Sequence, residues 1–484
     1  MTAFPDLLTA RLAASPDAPL LEYEGAEWTA AELDAEVDAV AGHLAARDVG
    51  PGDRVAVLME TRPAFVRLVF ALHRLGAVLV PLNARLAPAE LAAQCETVAP
   101  SLVVCEAETA DAAREATEAP LVSVDGRDAT ALDADGADFD PATWTLDEDA
   151  ALMFTSGTTG TPKAVRLTVG NVLASAVASA VRLGVDPDDR WLCPLSLYHM
   201  GGLAVVLRSA LYGTTAVIQR GFDAGRARRA LDGCTGVSLV PTMCRRMLDD
   251  GPFPDSLRFV LVGGAPAPAA LIERCADRGV PVCPTYGMTE TASQVATARP
   301  AEAYADPDTV GRPMLGTQVT VVDEGGDPVP AGETGELVVD GATVTPGYVG
   351  AEAPFCASGL RTGDVGRRDD AGRLHVLNRR SDRIVTGGEN VDPGGVAATL
   401  REHPDVRDAA VVGLPDPEWG ERVAALVVPR DSALDAAALR AFCADRLADF
   451  EVPKTVAFAD SLPRTASGTV DRGAVRERLR EADD

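Results

Sequence analysis

Ala151-Leu-Met-Phe-Thr155 runs straight into Ser156-Gly-Thr-Thr-Gly-Thr-Pro-Lys163, an apolar strand pattern followed by two glycines, a set of hydroxyls and a lysine. After a strand, such a run can wrap backbone N–H groups, side-chain donors and an ammonium around a polyphosphate. Its spacing is not G-x-x-x-x-G-K-[ST], so the ordinary P-loop inference does not apply. A Ser/Thr/Gly run by itself is read as a turn. Lys163, however, is one of only two lysines in the chain, the other being Lys454, and it closes this run.

On either side of this segment, short apolar runs alternate with helical patterns. Val55–Met59, Val78–Pro81, Leu102–Cys105, Thr214–Ile218, Val237–Val240 and Phe259–Val262 read as strands of layered α/β sheets, largely parallel. Ala107–Asp147 is polar and acidic and reads as a surface connection with one strand near Leu121–Val124. From about residue 310 the texture turns to β among Gly, Pro and Asp turns. After Asn378 it resets to about one hundred residues with their own strands and helices. The expected architecture is therefore a large N-terminal domain, 1–378, with a β-rich subdomain over 310–378. A hinge at 379–383 (Arg379-Arg-Ser-Asp-Arg383) leads to a small mobile α+β C-terminal domain, 384–484.

The chain has 484 residues, 44 basic against 72 acidic, for a formal charge of −28, and 47 % of its residues are apolar. That excludes a disordered protein and argues against nucleic acid or an anionic membrane as partner. All basic residues except Lys163 and Lys454 are Arg. An acidic, lysine-poor surface suits concentrated salt, and an ordinary acidic cytosolic protein reads similarly. The nine cysteines are scattered, never as C-x-x-C, which points to buried hydrophobes in a reducing compartment. With no basic leader before an apolar run and no spanning segment, a cytoplasmic location is expected.

With the opening segment stand Tyr198-His-Met-Gly-Gly202, Gly263-Gly-Ala-Pro266, Tyr286-Gly-Met-Thr-Glu-Thr291, Arg361-Thr-Gly-Asp364, Arg379-Arg-Ser-Asp382, Gly387-Gly-Glu-Asn390 and Leu462-Pro-Arg-Thr-Ala-Ser-Gly468. This ordered set, covering nearly the whole chain, resembles the adenylate-forming superfamily of acyl-CoA ligases, luciferases and peptide-synthetase adenylation domains. The resemblance implies ATP, Mg²⁺ and CoA as cofactor and co-substrates. Thr155, Ser156, Gly157, Thr158, Thr159, Gly160 and Lys163 would hold phosphates. Gly263, Gly264, Ala265, Pro266, Tyr286 and Gly287 would frame the adenine, and Asp364 with Arg379 the ribose. Thr289 would reach the α-phosphate and Glu290 would hold Mg²⁺. His199 matches the position that swings between acid pocket and Mg-ATP. Ser381 would be the hinge about which the C-terminal domain rotates, with Gly387, Gly388, Glu389 and Trp419 at the CoA entrance. Taken singly, each is a turn, a helix start, a core histidine or a packed aromatic.

Three details narrow the acid. Thr289-Glu-Thr-Ala-Ser-Gln294, the Ser at the hinge and Leu197–Leu203 followed by Arg208 most resemble the 2-succinylbenzoate–CoA ligases of menaquinone synthesis. Arg208 interrupts an apolar helix, Leu203–Leu211, and a guanidinium would neutralise the second carboxylate of an aromatic keto diacid, with Gln294 nearby. An Arg that snorkels to solvent or pairs with an acid would look the same in sequence. In the resembled family a Lys that bridges carboxylate and α-phosphate stands where Thr469 is, so either Arg464, Arg472 or a bound metal ion replaces it or adenylation is slow. Three readings stay open: a ligase for this diacid, a ligase for a fatty or simple aryl acid, and a relative with impaired adenylation that mainly binds nucleotide or acyl-AMP. No carrier domain follows Asp484, which disfavours a peptide-synthetase loading module, and a homodimer is left open.

Overall fold

The computed structural model describes residues 3–126, 130–131, 136–155, 162–379, 384–386, 389–417, 419–430, 434–444, 446–447, 450–465 and 469–482. The chain forms two compact units. The first is Met1–Val319 with Val339–Leu360, the second Thr320–Val338 with Arg361–Asp484.

Two sheets organise the first unit. One has nine strands among the described residues, in the order Arg312–Pro313, Ser293–Thr297, Val282–Met288, Phe259–Val262, Gly236–Leu239, Arg190–Cys193, Thr215–Ile218, Pro19–Tyr23, Ala26–Thr29. Its pairings are parallel from Val282–Met288 to Pro19–Tyr23 and antiparallel at both ends. The other has seven, in the order Thr130–Ala131, Leu121–Ser123, Leu102–Cys105, Arg54–Leu58, Val78–Leu82, Asp149–Thr155, Lys163–Thr168.

Alternation along the strands builds the layers. Val55 and Val57 enter the same core as Trp191, Ala216 and Ile218 of the nine-stranded sheet, so that core lies between the sheets. Ala56 and Leu58 point the other way, with Val80, Leu82 and the helix Pro88–Val98. Leu192, Val217, Val237 and Val260 face a third cluster with the helices Pro241–Asp250 and Ala269–Asp277. The helix Pro63–Arg74 is buried on nearly every side, through Phe65, Val66, Leu68, Val69, Phe70 and Leu72, as a helix packed within the inter-sheet core must be.

In the second unit, Asp364–Arg368 of the strand Gly359–Arg368 is antiparallel to Leu374–Arg379. Val406–Asp416 and Gly420–Pro429 form a long hairpin. Its residues alternate between Pro393–Glu402 with Ala436–Ala444 on one face and Arg472–Glu481 on the other. Among the described residues no helix is long and apolar enough to cross a membrane.

Two segments depart from the sequence reading. Ala107–Asp147 is not merely a connection: it carries the helix Ala110–Ala116, whose Ala110, Ala113 and Ala116 are buried at helical spacing, and a buried Trp144 that donates its Nε1–H to the His73 carbonyl at 2.8 Å. Small alanines make a packing face without the bulk that marks a hydrophobic stripe. Residues before Arg54 also belong to the architecture, since Pro19–Tyr23 pairs with Thr215–Ile218 far along the chain. Eight cysteines are buried as expected, and Cys356 is exposed.

His73 is buried against Trp144, with ring centroids 5.7 Å apart and an Nε2 that has no hydrogen-bond partner among the described residues. Burial lowers its pKa below 6.5, against opposing pulls from Asp6 and the Ala150 backbone. The unfolded chain therefore takes up this proton first, and folded stability should fall as pH drops below about 6.5, by up to about 1.4 kcal/mol per unit for one group. Urea unfolding between about pH 7.5 and 5.5 should show this slope, and His73→Phe should flatten it.

Candidate active site

Parallel strands end where their sheet can present loops to a ligand, and the first unit uses this edge repeatedly. Arg190–Cys193 leads to the turn before His199, Phe259–Val262 to Gly263-Gly-Ala-Pro266, and Val282–Met288 to Thr289 and Glu290. At Gly263 a Cβ would lie 2.5 Å from the Thr285 side chain, and at Gly287 it would lie 1.7 Å from the Ser293 carbonyl oxygen. Gly264 has φ +75°. These backbones approach neighbours that any larger residue would displace. Ala265 and Pro266 complete that turn, and Tyr286 sits in its strand opposite Ala296, with Gly287 opposite Gln294 across a bulge.

The hydroxyl-rich segment is flanked by two paired strands. Asp149–Thr155 and Lys163–Thr168 are antiparallel, with Thr155 paired to Lys163 at the base. Ser156, Gly157, Thr158, Thr159 and Gly160 lie outside the described residues. The other edge of Lys163–Thr168 receives a segment that the sequence reading passed over: Arg166 N donates to Gly347 O at 3.0 Å and Val349 N to Ala164 O at 2.9 Å. This places Tyr348 beside Lys163, whose Nζ lies 5.1 Å from the ring centroid. The Tyr348 hydroxyl donates to Glu290 Oε1 at 3.0 Å. Burial and the Glu290 carboxylate raise the Tyr348 pKa, so it stays a donor. Glu290 is itself buried, and its carbonyl accepts from Thr345 N at 2.8 Å. One ammonium, one phenol and one carboxylate are thus gathered at the hairpin base. The Pro-Gly-Tyr of residues 346–348 was the available signal.

His199 precedes the helix Met200–Tyr212 and lies edge-on to Tyr198 at 4.8 Å. Its turn is fixed from the other sheet: Leu197 N donates to the hydroxyl of Thr61, a buried residue just after Arg54–Leu58, at 3.0 Å. Next to Thr61, Glu60 accepts from Arg85 Nε at 3.1 Å. His199 keeps solvent access although closely surrounded. That desolvation lowers its pKa below 6.5; Arg85 lowers it further and Glu60 opposes. It is a neutral imidazole at neutral pH. Thr61, Glu60 and Arg85 carried no signal in sequence, because only tertiary packing brings them here.

Arg208 is 2 % exposed and has no ion-pair partner among the described residues. It neither snorkels nor pairs with a carboxylate. One NH2 donates to Ser175 Oγ at 3.0 Å, the guanidinium carbon lies 5.9 Å from the Trp191 ring centroid, and Nε is buried without a partner among the described residues. Burial lowers its pKa from the ordinary value. Gln294 is also buried; its Nε2 donates to Thr297 Oγ1 at 2.7 Å and its Oε1 has no partner among the described residues.

In the second unit, Asp364 lies buried within the strand Gly359–Arg368 and not in a simple turn; Gly363, at φ +72°, kinks that strand before it. Its N–H donates to Thr362 Oγ1 at 3.0 Å, and Arg379 is its register partner. Trp419 is 43 % exposed, with Lys454 Nζ 3.9 Å from its ring centroid. Thr469 closes a small turn through Thr465, with Oγ1 atoms 2.7 Å apart, and Arg464 pairs with Asp408 at 3.0 Å. Ser381, Gly387 and Gly388 lie outside the described residues, and Glu389 enters only as part of the strand Glu389–Val391.

The chain matches the family model for AMP-binding enzymes over residues 8–349 and that for the AMP-binding enzyme C-terminal domain over residues 396–469. It is 38 % identical to a 2-succinylbenzoate–CoA ligase of Geobacillus kaustophilus, over 96 % of each chain. Among solved structures it is similar to o-succinylbenzoate CoA synthetase (MenE) from Bacillus subtilis in complex with the acyl-adenylate intermediate OSB-AMP, at TM-score 0.92 and 34 % identity, covering 98 % of this chain and 99 % of the other. The same enzyme in complex with ATP and magnesium ion gives TM-score 0.91 and 35 % identity, covering 99 % and 100 %.

The electrostatics of His199 can be read directly. Its ring protons should titrate below pH 6.5 in an NMR pH series; Arg85→Gln should move that pKa up and Glu60→Gln down, following the sign of each neighbour's charge.

Proposed function

The chain belongs to the AMP-binding enzyme family, and on that footing we propose that it is an AMP-forming acid–CoA ligase whose acid is 2-succinylbenzoate, acting in the cytoplasm in menaquinone synthesis. The observation that carries the choice of acid is Arg208. A guanidinium buried without a counter-charge is costly, and one that keeps a vacant Nε–H is suited to a carboxylate brought by a ligand. A fatty or simple aryl acid offers no second carboxylate for it.

In the first half-reaction a substrate carboxylate oxygen attacks the α-phosphorus of ATP; the bond to the bridging oxygen breaks and pyrophosphate leaves, giving acyl-AMP. Lys163 and the Ser156–Gly160 loop hold the departing phosphates, Tyr286 and the Gly263–Pro266 turn hold the adenine, and Asp364 with Arg379 the ribose. Thr289 donates to the α-phosphate. Glu290 offers the hard carboxylate oxygen that Mg²⁺ prefers, and Tyr348 orients it. When bound, Mg²⁺ neutralises developing phosphate charge. His199, neutral by its surroundings, lies against the carboxylate without adding a charge that would hold it back.

In the second half-reaction the CoA sulfur, having lost its proton, attacks the acyl carbon and AMP leaves. Rotation at Ser381 in the 379–383 hinge, bringing residues 384–484 round, would admit the thiol. By the family resemblance Gly387, Gly388 and Glu389 would belong to that entrance, and the exposed Trp419 with the Lys454 ammonium would offer an aromatic face and a cation to the nucleotide end of CoA.

Acid-dependent release of pyrophosphate and AMP, followed in high KCl with a panel of acids, tests the reading. 2-Succinylbenzoate should outperform benzoate and octanoate, and Arg208→Leu should weaken diacid use by about 1.5–3 kcal/mol, the value of hydrogen bonds to a charged group. Equal turnover of octanoate would overturn the assignment. Thr469 supplies no charge where relatives carry Lys, so Thr469→Lys should accelerate acyl-AMP formation, by up to 10²–10³ on the order seen for a positioned donor, and leave thioester formation nearly unchanged. If Arg464 or Arg472 stands in instead, Arg464→Ala or Arg472→Ala should cripple adenylation in single-turnover assays.

A further inference from the structure

The helix Val169–Leu183 bonds to the segment before Tyr348, to Arg208 and to the turn after Glu290. At its start, Asn171 reciprocates the Thr168 cap and donates its Nδ2 to Ala342 O and Val344 O, both at 2.9 Å, fixing the segment that carries Thr345 and Tyr348. One turn further, Ser175 is 3 % exposed and lies between two groups of opposite demand. Its hydroxyl donates to the Ala292 carbonyl at 2.6 Å and accepts from Arg208 NH2 at 3.0 Å. Ala292 is the left-handed residue, φ 49° and ψ 36°, that ends the Thr289–Thr291 turn, and its N–H closes that turn on Thr289 O at 3.0 Å.

The geometry points to Ser175 as a positioning residue that couples the second-carboxylate pocket to the ATP-side turn, so that diacid and ATP bind synergistically. This rests on the reading of Arg208 given above. A hydroxyl has one proton, and donating it to Ala292 leaves only lone pairs for Arg208, so the relay has a fixed direction. Before the diacid binds, Ser175 is the guanidinium's one hydrogen-bonded partner among the described residues. A carboxylate on the vacant Nε–H anchors Arg208 from its far side, and the bonded chain Arg208–Ser175–Ala292 then holds the turn bearing Thr289 and Glu290. ATP meeting a turn already ordered loses less freedom on binding, and linkage requires the reciprocal effect on the diacid.

The test measures the affinity of the whole chain for an α,β-methylene ATP analogue with Mg²⁺ by calorimetry, with and without saturating 2-succinylbenzoate, and the reverse titration. The unaltered protein should show the same enhancement, about 5-fold or more, in both directions. Benzoate, lacking a second carboxylate, should give a ratio near one, a control that needs no variant. Ser175→Ala should bring the diacid ratio toward one, and Ser175→Thr, which keeps the hydroxyl, should restore it; a residue with a merely structural role would shift both affinities without touching their ratio. Arg208→Leu separates the two layers. If it leaves diacid affinity unchanged, the reading of the pocket fails. If it weakens diacid binding while Ser175→Ala keeps the full ratio, or if the unaltered protein has no ratio to lose, the coupling role of Ser175 is overturned and the pocket stands.

Discussion

Strand Lys163–Thr168 sits at the edge of its sheet, and an edge strand must find partners for two rows of backbone groups. One row is met by Asp149–Thr155, with Thr155 opposite Lys163. The other is met by residues 345–349, through Arg166 to Gly347 and Ala164 to Val349. Meeting this single requirement sets Tyr348 beside Lys163 and within reach of Glu290, so the polar centre of the first unit is positioned by backbone pairing.

The layered sheets were legible because fully covered strands must be apolar on both faces. Leu102–Cys105 and Phe259–Val262 begin and end at the residues their patterns mark, and Gly236–Leu239 is shifted by one from its apolar run. Where side chains are small or partners are distant, the pattern failed. The alanine face of Ala110–Ala116 has too little bulk to register, and nothing in Pro19–Tyr23 announces a neighbour at Thr215–Ile218.

The site divides along the same line. Lys163, Glu290, Tyr286 and Arg208 stand out in sequence because each is a rare type in its setting: a scarce lysine, an acid after a Gly-Met-Thr turn, an aromatic at a strand end, a charge in an apolar helix. What surrounds them does not. Thr61 supports the turn before His199 from the opposite sheet, Tyr348 arrives along an added edge, and Ser175 reads as one small residue in an alanine-rich helix. Supporting groups are ordinary residues made important by position, and position is a property of the fold.

On the proposed reading, Arg208 would also govern how the acid site rejects wrong molecules. A cation already stripped of water gains little from an apolar guest, and such a guest would seal the guanidinium away from any remaining solvent with its Nε–H still unmet. Discrimination would then arise from the penalty an intruder incurs as much as from the welcome given to the cognate acid, in the way that sites built to hydrogen-bond a substrate refuse its truncated analogues more firmly than apolar pockets refuse a missing methylene. A single arginine in an oily helix would therefore act chiefly as a filter, and a conservative enlargement of the surrounding apolar wall would do little to loosen it.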